Sequence, residues 1–314
     1  TLRPQAKEII RTWLYYTLLR NHQLLDKRAF EHVWISGHGV DEHGKKMSKS
    51  KGNVIDPEPV IQQYGGDAFR FWNAAEANLG SDFRYSREKI ETAKKFLTKL
   101  WNIARFISMM EDKNDFKLCE TDKWILSEFN KTLKESIEGY KNFNFYIPAN
   151  KTKFFLWSIF ADHYIELVKG RAYNKDKTFS EKEQAGAIHT LHLCVKNAIK
   201  ILAPVCPFIT EKIWTELYSK ESIHTQEFPS EIKDAEEPYS TLTEKLIDVN
   251  SAVWKFKKEE GLSLNSEVSV LYIDKELEPF AQDLKAMHNV KEIKIGLKDV
   301  SDISKQTENM ILVR

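Results

Sequence analysis

The sequence predicts an α/β segment at its amino end, a bundle of long helices in the middle and a small α/β unit at its carboxyl end, a mixed α/β and all-α class. Three observations carry that prediction. A β-rich run, Val33-Trp34-Ile35, stands between a helical pattern and the glycine-rich Ser36-Gly37-His38-Gly39, the rhythm of α/β folds that seat ligands at the carboxyl ends of parallel strands. From Ser86 onward, apolar residues recur at three-four spacing through helix after helix. Beyond a polar stretch holding Pro229 and Pro238, the alternation of Val268, Val270 and Tyr272 reads as a strand.

In chain order, residues 7–20 are expected as a helix, with Ile9, Ile10, Trp13, Leu14, Thr17 and Leu18 on one stripe. Asp41-Glu42-His43-Gly44 suits a tight turn after the strand. Asp56-Pro57-Glu58 opens a short helix with proline in its first turn. Gly65-Gly66 breaks it, and Asp67 is placed to cap the next helix, 68–77. The bundle follows. Its first helix carries Ile90, Ala93, Leu97, Leu100, Ala104 and Ile107, and its second, about 121–141, carries Ile125, Phe129, Leu133, Ile137 and Tyr140. A third, 147–173, has Phe154, Phe155, Trp157, Phe160 and Tyr164 and is apolar on most sides, so it belongs at the centre. A fourth, 181–203, stops at Pro204, and a fifth runs from Pro207 to about Tyr218. The domains are therefore expected at 1–84, 85–225 and 241–314, with 226–240 as linker. The last contains a helix at 241–259, a strand at 268–272, a helix at 276–287, a strand at 290–295 and the apolar run Met310-Ile311-Leu312-Val313.

Charge sets limits on function. The formal net charge is +1 over 314 residues, so no global field draws the chain to nucleic acid, and such binding would use local patches. Cys119, Cys194 and Cys206 lie far apart in or beside apolar helical stretches and read as reduced thiols, without the paired spacing of a zinc site or disulfide framework. No apolar run of about 18 residues exists and no signal peptide is visible. A cytosolic, monomeric protein that does not bind membranes is expected. The opening Thr1-Leu2-Arg3-Pro4 begins in mid-pattern without methionine, as expected of part of a longer protein.

The densest chemistry lies in Lys45-Lys46-Met47-Ser48-Lys49-Ser50-Lys51-Gly52-Asn53-Val54. Four lysines and two hydroxyls in a glycine-closed stretch can bring mobile positive charge onto a triphosphate. A solvated basic turn is the plainer reading of such a run. Its core, Lys46-Met47-Ser48-Lys49-Ser50, matches the signature loop of class I aminoacyl-tRNA synthetases letter for letter. The surrounding residues from Trp34 through Gly52-Asn53-Val54-Ile55-Asp56-Pro57 to Tyr64-Gly65-Gly66-Asp67-Ala68-Phe69-Arg70 resemble the branched-chain members of that family. So do Lys99-Leu100-Trp101-Asn102-Ile103-Ala104-Arg105-Phe106 and the stretch from Leu202 to Trp214. Among those members, Arg3-Pro4-Gln5 through Glu8-Ile9-Ile10-Arg11-Thr12-Trp13, and Gly80 to Ser86, are most similar to the archaeal-type valine enzymes. The resemblance covers about residues 1–225 and is weak past 240.

What the resemblance implies is the C-terminal half of a Rossmann-like catalytic domain, followed by an α-helical anticodon-binding bundle and a small C-terminal α/β domain. The implied reaction joins valine to ATP, giving valyl-adenylate and pyrophosphate, and then charges tRNA(Val). Lys46 and Lys49 would bind the phosphates as catalytic cations, with Ser48, Ser50, Gly37, His38 and Val54 completing the ATP site. Mg2+ would arrive with ATP, and no protein metal ligand is predicted. His38 has two equal readings, a loop close to adenine or a histidine satisfying a local hydrogen bond. Trp13 would wall the valine pocket, or else be a core tryptophan. Glu8 is read as complementing the helix dipole rather than binding the substrate ammonium. Lys94, Lys95, Lys99 and Arg105 face away from the apolar stripe and are candidates for tRNA phosphates. Trp124, Arg171 and Tyr173 could meet anticodon bases, although interior packing is the simpler role for each.

The His-Ile-Gly-His signature that faces the lysine loop in this family is absent from the sequence, so the chain alone is expected to form no adenylate. Isoleucine or leucine enzymes, a stand-alone tRNA-binding module and an unrelated nucleotide-binding protein remain as alternatives.

Overall fold

The computed structural model describes residues 1–233, 235, 239 and 242–296, and the backbone of 305–307 and 310–313. The chain is mostly helical with a few small strands, and it gathers into two compact units. The first is Thr1–Trp101 with Lys134–Lys153 and Ile199–Phe228; the second is Asn102–Leu133 with Phe154–Ala198 and Pro229–Arg314. Among the described residues, no helix is long and apolar enough to cross a membrane.

The first unit opens with a strand absent from the sequence reading. β1 (Leu2–Ala6) pairs in parallel with β2 (His32–Ser36), Arg3 opposite Val33 and Gln5 opposite Ile35. Pro4 inside β1 hides it from pattern reading, because proline cannot donate to a ladder and is confined to strand edges. The expected helix at 7–20 is in fact a 3-10 turn, Lys7–Ile9, then wide π-type turns at Ile10–Leu14, then α1 (Tyr15–Leu25). It runs past residue 20 and ends where Asp26 turns left-handed, φ 49°. Of the apolar stripe expected to be covered, only Leu14 is buried; Ile10, Trp13 and Leu18 are exposed together with Tyr15, Tyr16, Leu19, Leu24 and Leu25.

β3 (Gly39–Val40) pairs in parallel with β4 (Phe83–Arg84). Asp56 caps α2 (Pro57–Tyr64) by accepting from the Glu58 N–H, with proline in the first turn as predicted. α3 (Gly66–Glu76) carries one correction. Asp67 does not cap it; the carboxylate accepts instead from the N–H groups of Ile209 at 2.7 Å and Phe208 at 3.4 Å, where a later helix begins. Three residues on, Arg70 donates to the carbonyls of Pro204 and Val205, each at 2.9 Å. Two motif stretches far apart in sequence therefore lock together. Phe71 and Trp72, on the buried face of α3, pack against Phe96 (centroids 4.8 Å apart) and Tyr85 (5.7 Å). The whole predicted stripe of α4 (Arg87–Ile107) is buried. α5 (Glu120–Lys141) starts in the second unit, and from Lys134 it belongs to the first, where the Tyr140 hydroxyl donates to the Ile201 carbonyl at 2.7 Å.

The expected central helix of 147–173 divides into α6 (Tyr146–Phe154), π-type turns at Phe155–Tyr164 and α7 (Ile165–Tyr173). The wider turns stack Phe155 on Phe160, an i,i+5 pair with centroids 5.8 Å apart. Phe155, Phe160 and Tyr164 are buried, whereas Phe154 is exposed. α8 (Glu181–Leu202) and α9 (Pro207–Leu217) match expectation closely. α10 (Thr243–Glu259) precedes β5 (Val268–Ile273), a 3-10 stretch at Lys275–Phe280, α11 (Ala281–His288) and β6 (Val290–Ile295). β5 and β6 run parallel, and β8 (Met310–Val313) lies antiparallel to both β5 and β7 (Lys305–Thr307), giving the order β6-β5-β8-β7. Part of the expected linker, residues 234, 236–238 and 240, lies outside the described residues.

The core of the second unit holds a saturated charge cluster. Arg171 on α7 is fully buried, and its five N–H groups go to both carboxylate oxygens of Asp122, both of Asp283 and the Glu183 carbonyl, at 2.8–3.1 Å. The Tyr164 hydroxyl donates to the same Asp122 at 2.7 Å. α7 and α11 meet closely at Gly170, where an added Cβ would lie 3.1 Å from that of Ala286.

Candidate functional site

Two short parallel ladders in the first unit leave their connections side by side, and the predicted phosphate-binding residues lie on those connections. β2 ends at Ser36; Gly37 follows in contact so close that a Cβ there would sit 1.9 Å from the Ser81 carbonyl oxygen, which fixes glycine at this position. The His38 N–H donates to Asp82 at 2.8 Å, and the Lys7 ammonium binds the same carboxylate oxygen at 2.7 Å. The Lys7 bond, then the His38 N–H, hold Asp82 below the usual carboxylate range.

Beyond β3 the chain turns back on itself. Val40 bridges to Lys46, Asp41 N–H donates to the Lys45 carbonyl, and Gly44 makes the turn at φ 77°. The buried Asp41 carboxylate accepts from the N–H groups of His43 at 3.0 Å and Lys45 at 2.8 Å. Its other oxygen takes the Asn53 amide at 2.7 Å. Asn53 in turn accepts from Ser48 N–H at 2.9 Å and donates to the Lys46 carbonyl at 3.2 Å. Between these anchors Ser48 and Ser50 place their hydroxyls 3.2 Å apart, and Lys49–Lys51 forms one 3-10 turn that closes on Gly52 at φ 65°. The hydroxyls thus bond within the loop.

The structure brings together Lys46, His38 and a residue the sequence reading assigned to the helix dipole. The Glu8 carboxylate sits 2.9 Å from the Lys46 ammonium and 2.7 Å from His38 Nδ1. The Lys46 bond is the largest cause holding Glu8 below its usual range, with the charges of His38, Lys46 and Lys7 acting the same way. Glu8 is thus an ion-pair partner as well as a first-turn acid, a correction that sequence could not supply because its partners lie 30 and 38 residues away. Lys49 differs: its ammonium has no partner among the described residues. Val54 is exposed. Gln5, at the carboxyl end of β1, is buried with both amide atoms unpartnered among the described residues.

Trp13 is 46% exposed, and its ring lies under the Arg3 guanidinium at 3.7 Å. It lines an open cleft of about 480 Å³ with Tyr16, Arg20 and Leu24 and is not part of the core of this unit. Of the predicted RNA-facing residues, Lys94 is exposed and donates to the Gln63 carbonyl at 3.3 Å, Lys95 pairs with Glu91 at 3.2 Å, and Lys99 is half-buried. Arg105 is exposed and lies in the second unit. Lys94 also borders a cleft with Trp101, Phe208 and Lys212, both aromatics being exposed. Trp124 and Arg171 are interior, Trp124 donating to Thr243 at 2.9 Å, so neither can meet a base. Tyr173 is 43% exposed.

Comparison with known proteins places this geometry. Residues 5–86 match the family described as tRNA synthetases class I (I, L, M and V), and residues 122–272 match the anticodon-binding domain of tRNA ligase. The chain is 44% identical to the valine–tRNA ligase of Pyrobaculum aerophilum over 94% of its length, and 42% identical to that of Aeropyrum pernix over 91%. The chain belongs to the class I aminoacyl-tRNA synthetases. It spans 37% and 36% of those two relatives, a little over a third of their length. Among solved structures, the methionyl-tRNA synthetase of Mycobacterium tuberculosis in complex with methionyl-adenylate shares the fold, with a TM-score of 0.57 at 23% identity, covering 68% of this chain and 43% of that one. In this synthetase chain, then, the family match of 5–86 contains the lysine loop together with its Glu8, Asp41 and Asp82 contacts. The match of 122–272 contains Asp122 and Arg171, while Asp283, which completes their cluster, lies beyond it.

Proposed function

We propose that this chain supplies the triphosphate-binding loop and the tRNA-binding helices of a valine–tRNA ligase. The observation that carries the reading is the lysine loop itself: Lys49, on an exposed turn, has no partner for its ammonium among the described residues, inside a chain whose similarity to valine–tRNA ligases runs nearly its full length. In the reaction, a valine carboxylate oxygen attacks the α-phosphorus of ATP, and the bond to the bridging oxygen of pyrophosphate breaks. Negative charge grows on the departing pyrophosphate, and Lys49, then Lys46 on release from Glu8, are the cations this chain can bring to it. Mg2+ arrives on the triphosphate; among the described residues no group of three His, Cys, Asp or Glu could hold a metal. The orphaned Gln5 amide and the cleft beside Trp13 are the polar and apolar elements available to the rest of the substrate.

The bare face of α1 and the two-stranded parallel pair β1–β2 fit a larger Rossmann-like catalytic domain, because parallel sheets are normally covered on both faces. tRNA(Val) would lie against Lys94, Lys95, Lys99 and Arg105 through its phosphates. Phe208 and Trp101 are suited to stack an unpaired base. Filter binding of tRNA(Val) at two salt concentrations and valine-dependent ATP–pyrophosphate exchange test the reading. Binding at low salt that weakens steeply at higher salt is expected, with no exchange by the chain alone. Absence of RNA binding at low salt overturns the tRNA assignment, and exchange by this chain alone overturns the division of labour.

A further inference from the structure

The lysine loop is held by two side chains that touch no phosphate in any reading given above. Asn53 stands after the loop, half-buried, and uses all of its amide. Its oxygen accepts Ser48 N–H at 2.9 Å; its nitrogen donates to the Lys46 carbonyl at 3.2 Å and to Asp41 at 2.7 Å. Those contacts grip the main chain on both sides of Met47. Asp41 stands before the loop, buried, and accepts from His43 N–H, Lys45 N–H and the Asn53 amide. Because an amide has one acceptor end and one donor end, a carboxylate at Asp41 selects the orientation in which Asn53 turns its oxygen toward Ser48. The loop is thereby divided. From Asp41 to Ser48 its backbone is tied down, and from Lys49 to Gly52 it is held by its own single turn.

We infer that Asn53, oriented by Asp41, is a positioning residue of the phosphate-binding loop: it fixes the Lys46–Ser48 backbone so that closure onto the triphosphate is left to the Lys49–Gly52 turn. This rests on the reading that the loop binds ATP. A tethered half shortens the segment that must be ordered when ATP binds, which lowers the entropic cost of closing it. The clamp acts through the backbone, so disturbing it weakens phosphate binding without removing any cation.

Charge and clamp make opposite predictions for one variant. Asp41→Asn removes a negative charge near the loop, so a purely electrostatic role would tighten ATP binding. The clamp predicts the reverse, since two amide donors would then face each other. Asn53→Asp adds a charge and sets two carboxylates together. The double variant Asp41→Asn/Asn53→Asp has the parent's net charge and restores the bond with donor and acceptor exchanged, at the cost of setting an oxygen against the Lys46 carbonyl where the parent has a donor. Calorimetric titration of the parent and the three variants with MgATP is the first measurement. We expect each single variant to bind at least about tenfold more weakly, and the double variant to recover most of that loss. Tighter or unchanged binding by Asp41→Asn, or a double variant no better than the singles, overturns the inference.

Amide hydrogen exchange at Ser48 in the parent and in Asn53→Ala reads the clamp without ATP. Exchange at least about tenfold faster in the variant is expected, and equal rates overturn the clamp. If the parent fails to bind MgATP while Ser48 shows that protection, the clamp stands and the ATP reading falls.

Discussion

At the scale of single residues, the site is a contest for lysine ammoniums. Lys46 is neutralised by Glu8, which also holds His38, while Lys49 is unclaimed among the described residues. A solvent-exposed pair of this kind contributes little to stability, yet it sets how much positive charge the loop offers an incoming anion. Glu8→Gln keeps the shape and frees Lys46, so affinity for inorganic tripolyphosphate should rise several-fold, measured by calorimetry at low ionic strength; an unchanged or weaker affinity would count against the pairing. The lysines and serines were legible in the sequence because they are contiguous. Glu8 and Asp82 were not, because each acts on partners that only tertiary structure brings near; Asp41 reads as a turn residue, and its bond to Asn53, twelve residues on, has no sequence pattern. Asn53 gives no signal in the sequence, since a single asparagine has no pattern of its own.

At the scale of elements, legibility followed the hydrophobic period. The stripe of α4 was readable residue by residue, and all of it is buried. β1 was invisible because Pro4 interrupts it and its pairing partner lies some thirty residues on. Asp67 was placed at the head of the wrong helix: the local sequence marks it as a cap, and nothing in it reveals that the start of α9 is the closer claimant. Arg171, a candidate for RNA contact from sequence, is instead a junction of α7, α5 and α11. Removing it leaves two buried carboxylates facing each other. Arg171→Leu should therefore cost about 3–5 kcal/mol in urea unfolding, whereas Asp283→Asn, which retains an acceptor, should cost clearly less. Equal losses would show that the cluster acts by packing and not by charge.

At the scale of the whole molecule, acid should find a weak point in the interior of the second unit. The His288 Nε2–H donates to the Asn250 amide oxygen, 3.0 Å away, and the Asn250 amide nitrogen donates to His163 Nδ1 at 3.4 Å. The buried Lys257 ammonium binds the carbonyls of His288 and Leu264, each at 2.7 Å. Burial, with Lys257 and His163 adding to it, pushes His288 down to about 3, and burial lowers His163 as well. Both imidazoles are therefore neutral when folded and take protons more readily when unfolded. Their contribution is complete above the ordinary histidine range, about pH 6.5, and is lost as pH falls toward the folded value. The thermal midpoint should decline between about pH 6.5 and pH 4, and His288→Gln should flatten that decline. A parent midpoint constant across this window would contradict the buried, neutral pair. The central claim, that this synthetase chain carries a phosphate-binding loop in which Lys49 offers an ammonium without a partner among the described residues, is tested most directly by titrating the parent and Lys49→Ala with MgATP. Saturable binding by the parent, weakened about tenfold or more in Lys49→Ala, is the predicted result; equal affinities for the two proteins would contradict it.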